Sequence, residues 1–226
     1  MTGAMIDWDK AEKLPAEYRY FNISVIWIFY YRLILKILYK ARVPHEAVTL
    51  FSIVCGLASA CFFFSGKLIP AAVALHLKDL FDACDGALAR LTGRGHLAGR
   101  YLDSLGDFVS LTAVIAAIAL RNSGPGQLFI IYWAALAALS LFLQCSVFNF
   151  YNIKYSEHWG SERLLSRTSE SSREDSGPKD YGWVTQILHL LYILIFSWQD
   201  RLVAHFDNHL SKKLRLSSNH NQYGSK

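Results

Sequence analysis

Four aspartates at two spacings are the residues of this chain best suited to chemistry. Asp82 and Asp85 are three residues apart, and Asp103 and Asp107 are four residues apart, so each pair would lie on one face of a helix. Carboxylate oxygens are the ligands that Mg²⁺, Mn²⁺ and Ca²⁺ prefer, and two such ions would balance four carboxylates. Because Mg²⁺ bridges readily to phosphate, the pattern predicts a site for two Mg²⁺ or Mn²⁺ ions that acts on a phosphate-bearing substrate.

The chain around these aspartates is predicted to fold back on itself. Asp85 and Asp103 lie at similar sequence distances from a short loop centred near Gly95, and so do Asp82 and Asp107. If the loop closes a helical hairpin, the carboxylates form two facing layers, Asp85 with Asp103 and Asp82 with Asp107. Each ionised carboxylate in apolar surroundings costs several kcal/mol unless it is compensated. The two layers therefore require a bound cation.

Small and basic residues beside the first aspartate pair are candidate substrate contacts. Gly86 and Ala89 lack bulk, so a ligand could press against the helix there, although close helix packing explains small residues equally well. Arg90 follows at the end of the same helix, where it could contact a phosphate or anchor the helix on the basic side of a membrane. The residues themselves leave both alternatives open.

A set of structural ion pairs is another explanation for the aspartates. The available partners are the basic residues in or near the loop, Lys78, Arg90, Arg94 and Arg100. Most of these lie at the loop, whereas Asp82 and Asp107 would lie about three helical turns away, on the order of 18 Å along the axis. Ion pairs alone therefore do not account for the cluster. We interpret Lys78 and Asp79 as a self-neutralising pair beside the site, and His76 as a packing residue.

The elements that must position these residues are apolar helices. Of the 226 residues, 53% are hydrophobic and 18% are charged, which is too apolar for a typical soluble domain. Uncharged runs at 47–65 and 128–149 are long enough to cross a bilayer, 68–90 and 99–120 are each half apolar and half acidic, and 183–198 is a shorter apolar run. The sequence predicts an all-α integral membrane protein, a polytopic bundle of about five to six spans with an N-terminal amphipathic interfacial helix.

Five segments follow from these patterns. Residues 21–41 carry Arg32, Lys36 and Lys40 along one stripe, which is typical of a helix lying among anionic headgroups, with a tilted first span as the alternative. Pro44 should end that helix. The segments are a cytoplasmic N-terminal part with this juxtamembrane helix (1–43), a catalytic transmembrane core (44–155), a polar cytoplasmic loop (156–180), a last apolar helix (181–200) and a polar basic tail (201–226).

The distribution of basic residues predicts which side the site faces. Lys and Arg are concentrated in the N-terminal region and in two predicted loops, at Arg90, Arg94, Arg100, Lys154, Arg163, Arg167, Arg173 and Lys179, whereas the opposite turns hold Lys67 and Arg121. Cytoplasmic loops carry the excess of Lys and Arg, so the site should face the cytoplasm, at the inner membrane in a bacterium. The basic tail departs from this rule if 183–198 crosses the bilayer, so that run is alternatively re-entrant or interfacial.

The aspartates and their neighbours resemble a known signature. Asp82-x-x-Asp85-Gly86-x-x-Ala89-Arg90 followed by Gly99-x-x-x-Asp103-x-x-x-Asp107 is similar, at every fixed position, to the signature of the CDP-alcohol phosphotransferase family. Pro44 and Thr49 are similar to that family's Pro-Asn-x-x-Thr motif, with His45 in place of the asparagine. The resemblance covers residues 30–155, and its many fixed positions make it specific.

The resemblance implies a phospholipid biosynthesis enzyme that displaces CMP from a CDP-linked lipid or alcohol with an acceptor hydroxyl. It implies that Asp82, Asp85 and Asp103 bind the metals that hold the diphosphate, and that Asp107 is the general base and also touches a metal. Gly86 and Ala89 would line the cytidine site, and Arg90, Gly99 and Thr49 would be further substrate contacts. Family members are usually six-span homodimers, although no sixth span is visible in this sequence.

Other functions fit the residues less well. Intramembrane prenyltransferases also use two aspartate-rich motifs, but they need more spans and lack the Asp-Gly-x-x-Ala-Arg element. A divalent-cation carrier would distribute its acids through the bilayer depth. The net charge of +5 follows the loops, which disfavours nucleic-acid binding. A site at membrane depth favours CDP-diacylglycerol over a soluble CDP-alcohol as donor.

Overall fold

The computed structural model of the chain describes residues 6–12, 28–93, 95, 97–124, 128–158 and 182–223. Within these ranges the chain is helical and contains no β-strand. The helices are α1 (Trp8–Ala11), α2 (Ile28–Lys40), α3 (His45–Phe64), α4 (Leu68–Thr92), α5 (Leu97–Asn122), α6 (Leu128–His158) and α7 (Trp183–Tyr223). The prediction of an all-α protein is confirmed.

Several of these helices suit a bilayer. Among the described residues, four stretches are long and apolar enough to cross a membrane: His45–Phe64, Ala98–Asn122, Leu128–Asn152 and Trp183–Lys212. Helix α4 is not one of them, because the charged residues between Lys78 and Asp85 interrupt its apolar sequence. The prediction of a polytopic α-helical membrane protein is confirmed. Helix α4, which the sequence analysis counted as a span, is not among the four candidates in the described residues.

The boundaries of the first helices follow local backbone preferences. Helix α2 ends at Lys40, and Pro44 precedes α3 in an extended conformation (φ −66°, ψ 138°), as predicted for a proline at this point. Residues 21–27 of the predicted amphipathic helix lie outside the described residues. Gly93 follows α4 with φ 66°, a left-handed conformation that glycine adopts without steric cost. The predicted hairpin loop therefore begins at Gly93, and Arg94 lies outside the described residues.

Helix α7 is longer than the apolar run that we predicted at 181–200. It continues from Trp183 to Tyr223, and this stretch contains no glycine or proline to end it. Apolar side chains recur beyond residue 200 at helical spacing, at Leu202, Val203, Phe206 and Leu210. The polarity of the sequence therefore changes at residue 200, but the helix continues through it.

The chain divides into two compact units. One contains Met1–Leu139 and Ser176–Leu190, and the other contains Ser140–Asp175 and Leu191–Lys226. In the first unit α4 and α5 both pack against α3, while α2 and α1 pack against α4. The apolar core between α2 and α4 includes Leu35, Cys84 and Leu88, all almost fully buried. Helix α3 is therefore the element that aligns α4 with α5.

The second unit is held in part by polar contacts between α6 and α7. The Ser146 hydroxyl donates a hydrogen bond to Gln199 Oε1 at 2.8 Å, and Ser146 is buried. Farther along the same helices, the Tyr151 hydroxyl and the Lys154 ammonium both donate to Asp207, at 3.0 and 2.5 Å. Hydrogen bonds of this kind hold apolar helices in one register.

Candidate active site

Three of the four aspartates converge between α4 and α5. One carboxylate oxygen of Asp82, one of Asp85 and one of Asp103 all lie within 4.8 Å of one another. Asp82 lies on α4 and Asp103 on α5, so the group bridges the two helices. Three oxygen donors at this separation are the ligand set that a hard divalent cation takes in proteins.

Asp85 is the most buried member of this group, which we call the three-aspartate group (Asp82, Asp85 and Asp103). The residue is 4% exposed, and its Oδ2 atom has no hydrogen-bond partner among the described residues. The Thr49 hydroxyl lies beside the same carboxylate and donates to the His45 carbonyl at 3.1 Å. Because a buried carboxylate oxygen without a partner is costly, these residues fit a bound cation.

Asp107 lies beside the three-aspartate group and shares a basic partner with Asp82. Its carboxylate forms an ion pair with the ammonium group of Lys78, whose side chain is 12% exposed. The same Nζ atom lies 3.6 Å from Asp79 Oδ1 and 3.8 Å from Asp82 Oδ1. We predicted Asp82 opposite Asp107 and a separate Lys78–Asp79 pair. The Lys78–Asp79 ion pair is present, and Lys78 in addition joins α4 to Asp107 on α5.

A close contact between α3 and α5 lies beside the Lys78–Asp107 pair. A Cβ atom added to Gly56 would lie 2.6 Å from the Cβ and Oγ atoms of Ser110 and 3.4 Å from Lys78 Cγ. The Ser52 hydroxyl, one turn earlier on α3, donates to the Lys78 carbonyl at 3.1 Å. Gly56 therefore lets α5 approach α3 one turn from Asp107 and holds the stem of Lys78 between them.

The remaining candidate residues lie along the same two helices. An added Cβ at Gly86 would be 3.4 Å from Arg90 Nη1, so the guanidinium group covers this glycine. Arg90 Nε donates to the Ala11 carbonyl at 2.8 Å, so the short N-terminal helix contacts the end of the site helix. Ala89 is half-buried on α4, and Gly99 is buried at the start of α5.

Comparison with known families identifies the family of this chain. The family model described as CDP-alcohol phosphatidyltransferase matches residues 43–205, a range that begins before α3, contains all four aspartates and extends into α7. The chain belongs to the CDP-alcohol phosphatidyltransferase family. Comparison with curated proteins and with solved structures gives no match. The predicted family is confirmed, and its match begins and ends later in the chain than the 30–155 range of the resemblance.

Family membership establishes the class of reaction. This CDP-alcohol phosphatidyltransferase is a multi-pass membrane transferase of substituted phosphate groups, with a CDP-linked donor and a hydroxyl acceptor. The cation-carrier and prenyltransferase alternatives are therefore set aside. The geometry adds three clustered carboxylates that can hold a cation, and a fourth carboxylate beside them that can accept a proton.

Lys78 has a partner in this phosphatidyltransferase that our sequence interpretation did not predict, Asp107 on α5. The signal was available, because Lys78 lies four residues before Asp82 and therefore on the same face of the helix. Adjacency in sequence favoured Asp79 as its partner, but that side chain is 69% exposed and lies at 3.6 Å. Neighbouring residues of a helix point to different faces, so Lys78 has its closer contact with Asp107 on α5 and not with Asp79.

Proposed function

We propose that this protein transfers a phosphatidyl group from CDP-diacylglycerol to an acceptor hydroxyl, with release of CMP, in phospholipid biosynthesis. The observation that carries the proposal is the three-aspartate group, with its buried, unpartnered Asp85 oxygen, in a chain of the CDP-alcohol phosphatidyltransferase family. The site lies on helices that adjoin apolar spans, which favours a donor that is itself a lipid.

Asp82, Asp85 and Asp103 would hold two divalent ions, Mg²⁺ or Mn²⁺. Carboxylate donors select these hard cations, and Mg²⁺ dehydrates reluctantly, so it retains positions for phosphate oxygens. When bound, the ions would neutralise the diphosphate of the donor and the charge that develops on departing CMP. Thr49 acts in this scheme through Asp85, since its hydroxyl lies beside that carboxylate.

Asp107 would accept the proton of the acceptor. The acceptor oxygen attacks the phosphorus atom that carries the diacylglycerol group and forms a new P–O bond. The bond from that phosphorus to the bridging oxygen breaks, and CMP leaves with the bridging oxygen and its electron pair. The acceptor proton passes to the Asp107 carboxylate, which is 44% exposed and so open to an incoming hydroxyl. The prediction that Asp107 also contacts a metal stays a prediction.

Gly86, Ala89, Arg90 and Gly99 would form the nucleotide side of the site. The Arg90 guanidinium group covers Gly86, so a cytidine diphosphate that reached this part of α4 would meet a fixed cation. One guanidinium nitrogen is already bound to the Ala11 carbonyl, which orients the others. Arginine suits this role because its planar group binds phosphate with two parallel hydrogen bonds.

We propose that the site faces the cytoplasm and that α2 lies at that membrane surface. Arg32, Lys36 and Lys40 are exposed on α2, together with Leu33 and Ile37, whereas Leu35 is buried. Exposed bases beside exposed apolar side chains are typical of a helix among anionic headgroups. The segment divisions given above and assembly as a homodimer are further proposals, which topology mapping and cross-linking in membranes would test.

The proposed reaction is tested by CMP release from purified protein in detergent micelles. The donors are CDP-diacylglycerol and a soluble CDP-alcohol, each with Mg²⁺ and a panel of hydroxyl acceptors, and EDTA is the metal-free control. We expect metal-dependent release from CDP-diacylglycerol with one class of acceptor. Preferential turnover of the soluble donor, or release that EDTA leaves unchanged, would contradict the proposal.

A further inference from the structure

We propose that the N-terminal segment Ile6–Glu12 belongs to the nucleotide side of the site, where it positions the Arg90 guanidinium group for a phosphate of the CDP-linked donor. The segment lies before the range that the family model matches, 43–205, and outside the aspartate signature. The inference rests on the proposed function, which assigns Arg90 to the nucleotide. The segment acts through Arg90, so its residues are positioning residues.

Apolar contacts hold this segment against α4. It contains the short helix α1, whose Ala11 is 1% exposed and lies in one buried cluster with Cys84 and Leu88 of α4. Ile6 and Trp8 pack against the same cluster, and burial of such side chains stabilises the docked segment. Because alanine is small, the backbone of α1 comes close enough to α4 for a direct hydrogen bond.

That hydrogen bond orients the Arg90 guanidinium group. Its Nε atom donates to the Ala11 carbonyl at 2.8 Å, while its Nη1 atom lies against Gly86, where an added Cβ would be 3.4 Å away. Gly86 directly follows Asp85 of the three-aspartate group. A carbonyl has no net charge, so this contact orients the guanidinium group without neutralising it. The cation is therefore directed toward the residue beside the proposed metal site.

A further contact joins the segment to α2. The guanidinium carbon of Arg32, an exposed residue of α2, lies 5.2 Å from the centroid of the Trp8 ring, within the range of a cation–π interaction. At the other side of α1, the Asp7 carboxylate accepts a hydrogen bond from the Lys10 backbone N–H at 3.2 Å. The segment is thus held by α2 and by its own cap as well as by α4, which gives the Ala11 carbonyl a fixed place.

Positioning of this kind increases affinity for the nucleotide. An arginine side chain has many rotamers, and binding a phosphate restricts them. A guanidinium group that Ala11 already holds has lost part of this freedom before the donor arrives, so the donor binds more tightly. The coupling is reciprocal, because a nucleotide that binds the docked segment better must also stabilise docking by the same factor.

The test compares Ala11→Leu with the matched control Lys10→Leu, which adds the same side chain at the adjacent, exposed position of α1. Leucine is too large for the buried site of Ala11, so the segment must move away from α4 together with the Ala11 carbonyl. Three readouts are measured on the full-length protein in micelles: kcat and KM for CMP release from CDP-diacylglycerol, CMP affinity with Mg²⁺ by calorimetry, and Mn²⁺ affinity of the metal-stripped protein by electron paramagnetic resonance.

The expected result is a loss confined to the nucleotide. Ala11→Leu should raise KM and weaken CMP binding by about tenfold each, the effect of one hydrogen bond to a charged group. Its kcat and its Mn²⁺ affinity should stay within about threefold of wild type, and Lys10→Leu should match wild type in every readout. Unchanged KM and CMP affinity in Ala11→Leu, with CMP release intact in the wild type, would overturn the inference alone.

A double variant separates positioning of Arg90 from general packing. If the segment acts through Arg90, Ala11→Leu should weaken CMP binding by less than about twofold when Arg90→Met is already present. Additive losses in the double variant, or an equal fall in CMP and Mn²⁺ affinity in Ala11→Leu, would show a merely structural segment and overturn the inference. A wild-type protein that releases no CMP from either donor would instead overturn the proposed function, and the inference with it.

A second measurement uses the wild-type protein and does not depend on how the variants fold. The backbone N–H groups of Ala11 and Glu12 donate to the Asp7 and Trp8 carbonyls at 3.2 and 3.3 Å, so their hydrogen exchange reports opening of α1. With saturating CMP and Mg²⁺, exchange at these two amides should slow by about tenfold, the reciprocal of the effect on CMP affinity. Exchange that CMP leaves unchanged would overturn the inference.

Discussion

Two lysine–aspartate pairs each join a pair of helices in this protein, and they differ in what surrounds them. Lys78 on α4 faces Asp107 on α5, with Asp79 and Asp82 also within 4.0 Å of its ammonium group. Lys154 on α6 faces Asp207 on α7, where Tyr151 donates a further hydrogen bond to the same carboxylate. The first site has more carboxylates than cations, whereas the second has two donors for one carboxylate.

This difference indicates that the charges around Lys78 are functional and that the Lys154–Asp207 pair is structural. At Asp207 the charges and hydrogen bonds are complete within the unit, so the pair needs no ligand. Around Lys78 the signature aspartates leave an excess of negative charge in surroundings where uncompensated charge is costly. In a membrane protein, a charged cluster that does not balance itself predicts a binding site.

Asp107→Asn should have the largest effect of any change at either pair. The asparagine keeps the size of the side chain but cannot accept the acceptor proton, so we expect CMP release to fall by about 1,000-fold or more. The matched variant Asp207→Asn should keep kcat within about threefold. A similar loss of activity in both variants, at equal amounts of folded protein, would erase the proposed distinction between the two pairs.

Asp85→Asn should have the next largest effect, because it removes charge from the group that we propose to hold the metal. Asn keeps an oxygen but loses the negative charge, so we expect Mn²⁺ affinity to fall by at least about tenfold, together with CMP release. Titration of Mn²⁺ into metal-stripped protein measures this. Asp79→Asn, on the same helix but exposed, is the control, and equal losses in the two would indicate a diffuse charge effect.

Gly56→Ala tests whether helix packing sets the Lys78–Asp107 contact. The added methyl group would lie 2.6 Å from Ser110, so α5 must move away from α3 at a cost of about 1–3 kcal/mol. We expect a lower thermal midpoint in micelles and a lower kcat, since Asp107 is one turn from Ser110. Cys61→Ala, at an exposed site on α3, should change neither, and a fully active Gly56→Ala would show that the contact tolerates displacement.

Lys154→Met should have the smallest effect. Lys154 is exposed, and exposed ion pairs contribute about 0–1 kcal/mol. Asp207 keeps its hydrogen bond from Tyr151, so we expect a small change in thermal midpoint and activity within about twofold of wild type. An increase of more than about tenfold in KM for a phosphorylated acceptor would instead place Lys154 in the acceptor site.

The placement of the site residues was predictable from the sequence where it depends on a single helix. The spacing of Asp82 and Asp85 places both on one face of α4, and that of Asp103 and Asp107 does the same on α5. How the two faces meet was not predictable, because α4 and α5 are aligned by their separate contacts with α3. For that reason the ion pair that Lys78 forms across the two helices with Asp107 lay outside the sequence prediction.

The sequence by itself determined the class of the protein. Apolar runs of bilayer length require membrane helices, and the fixed positions from Asp82 to Asp107 identify the family. Both are properties of composition and local spacing, so they do not depend on how the helices pack against one another. Only the tertiary structure decided that Lys78 pairs with Asp107 on α5 as well as with Asp79. That pairing lies beside the approach of α5 to Gly56, a contact between residues far apart in the chain whose register no local pattern encodes.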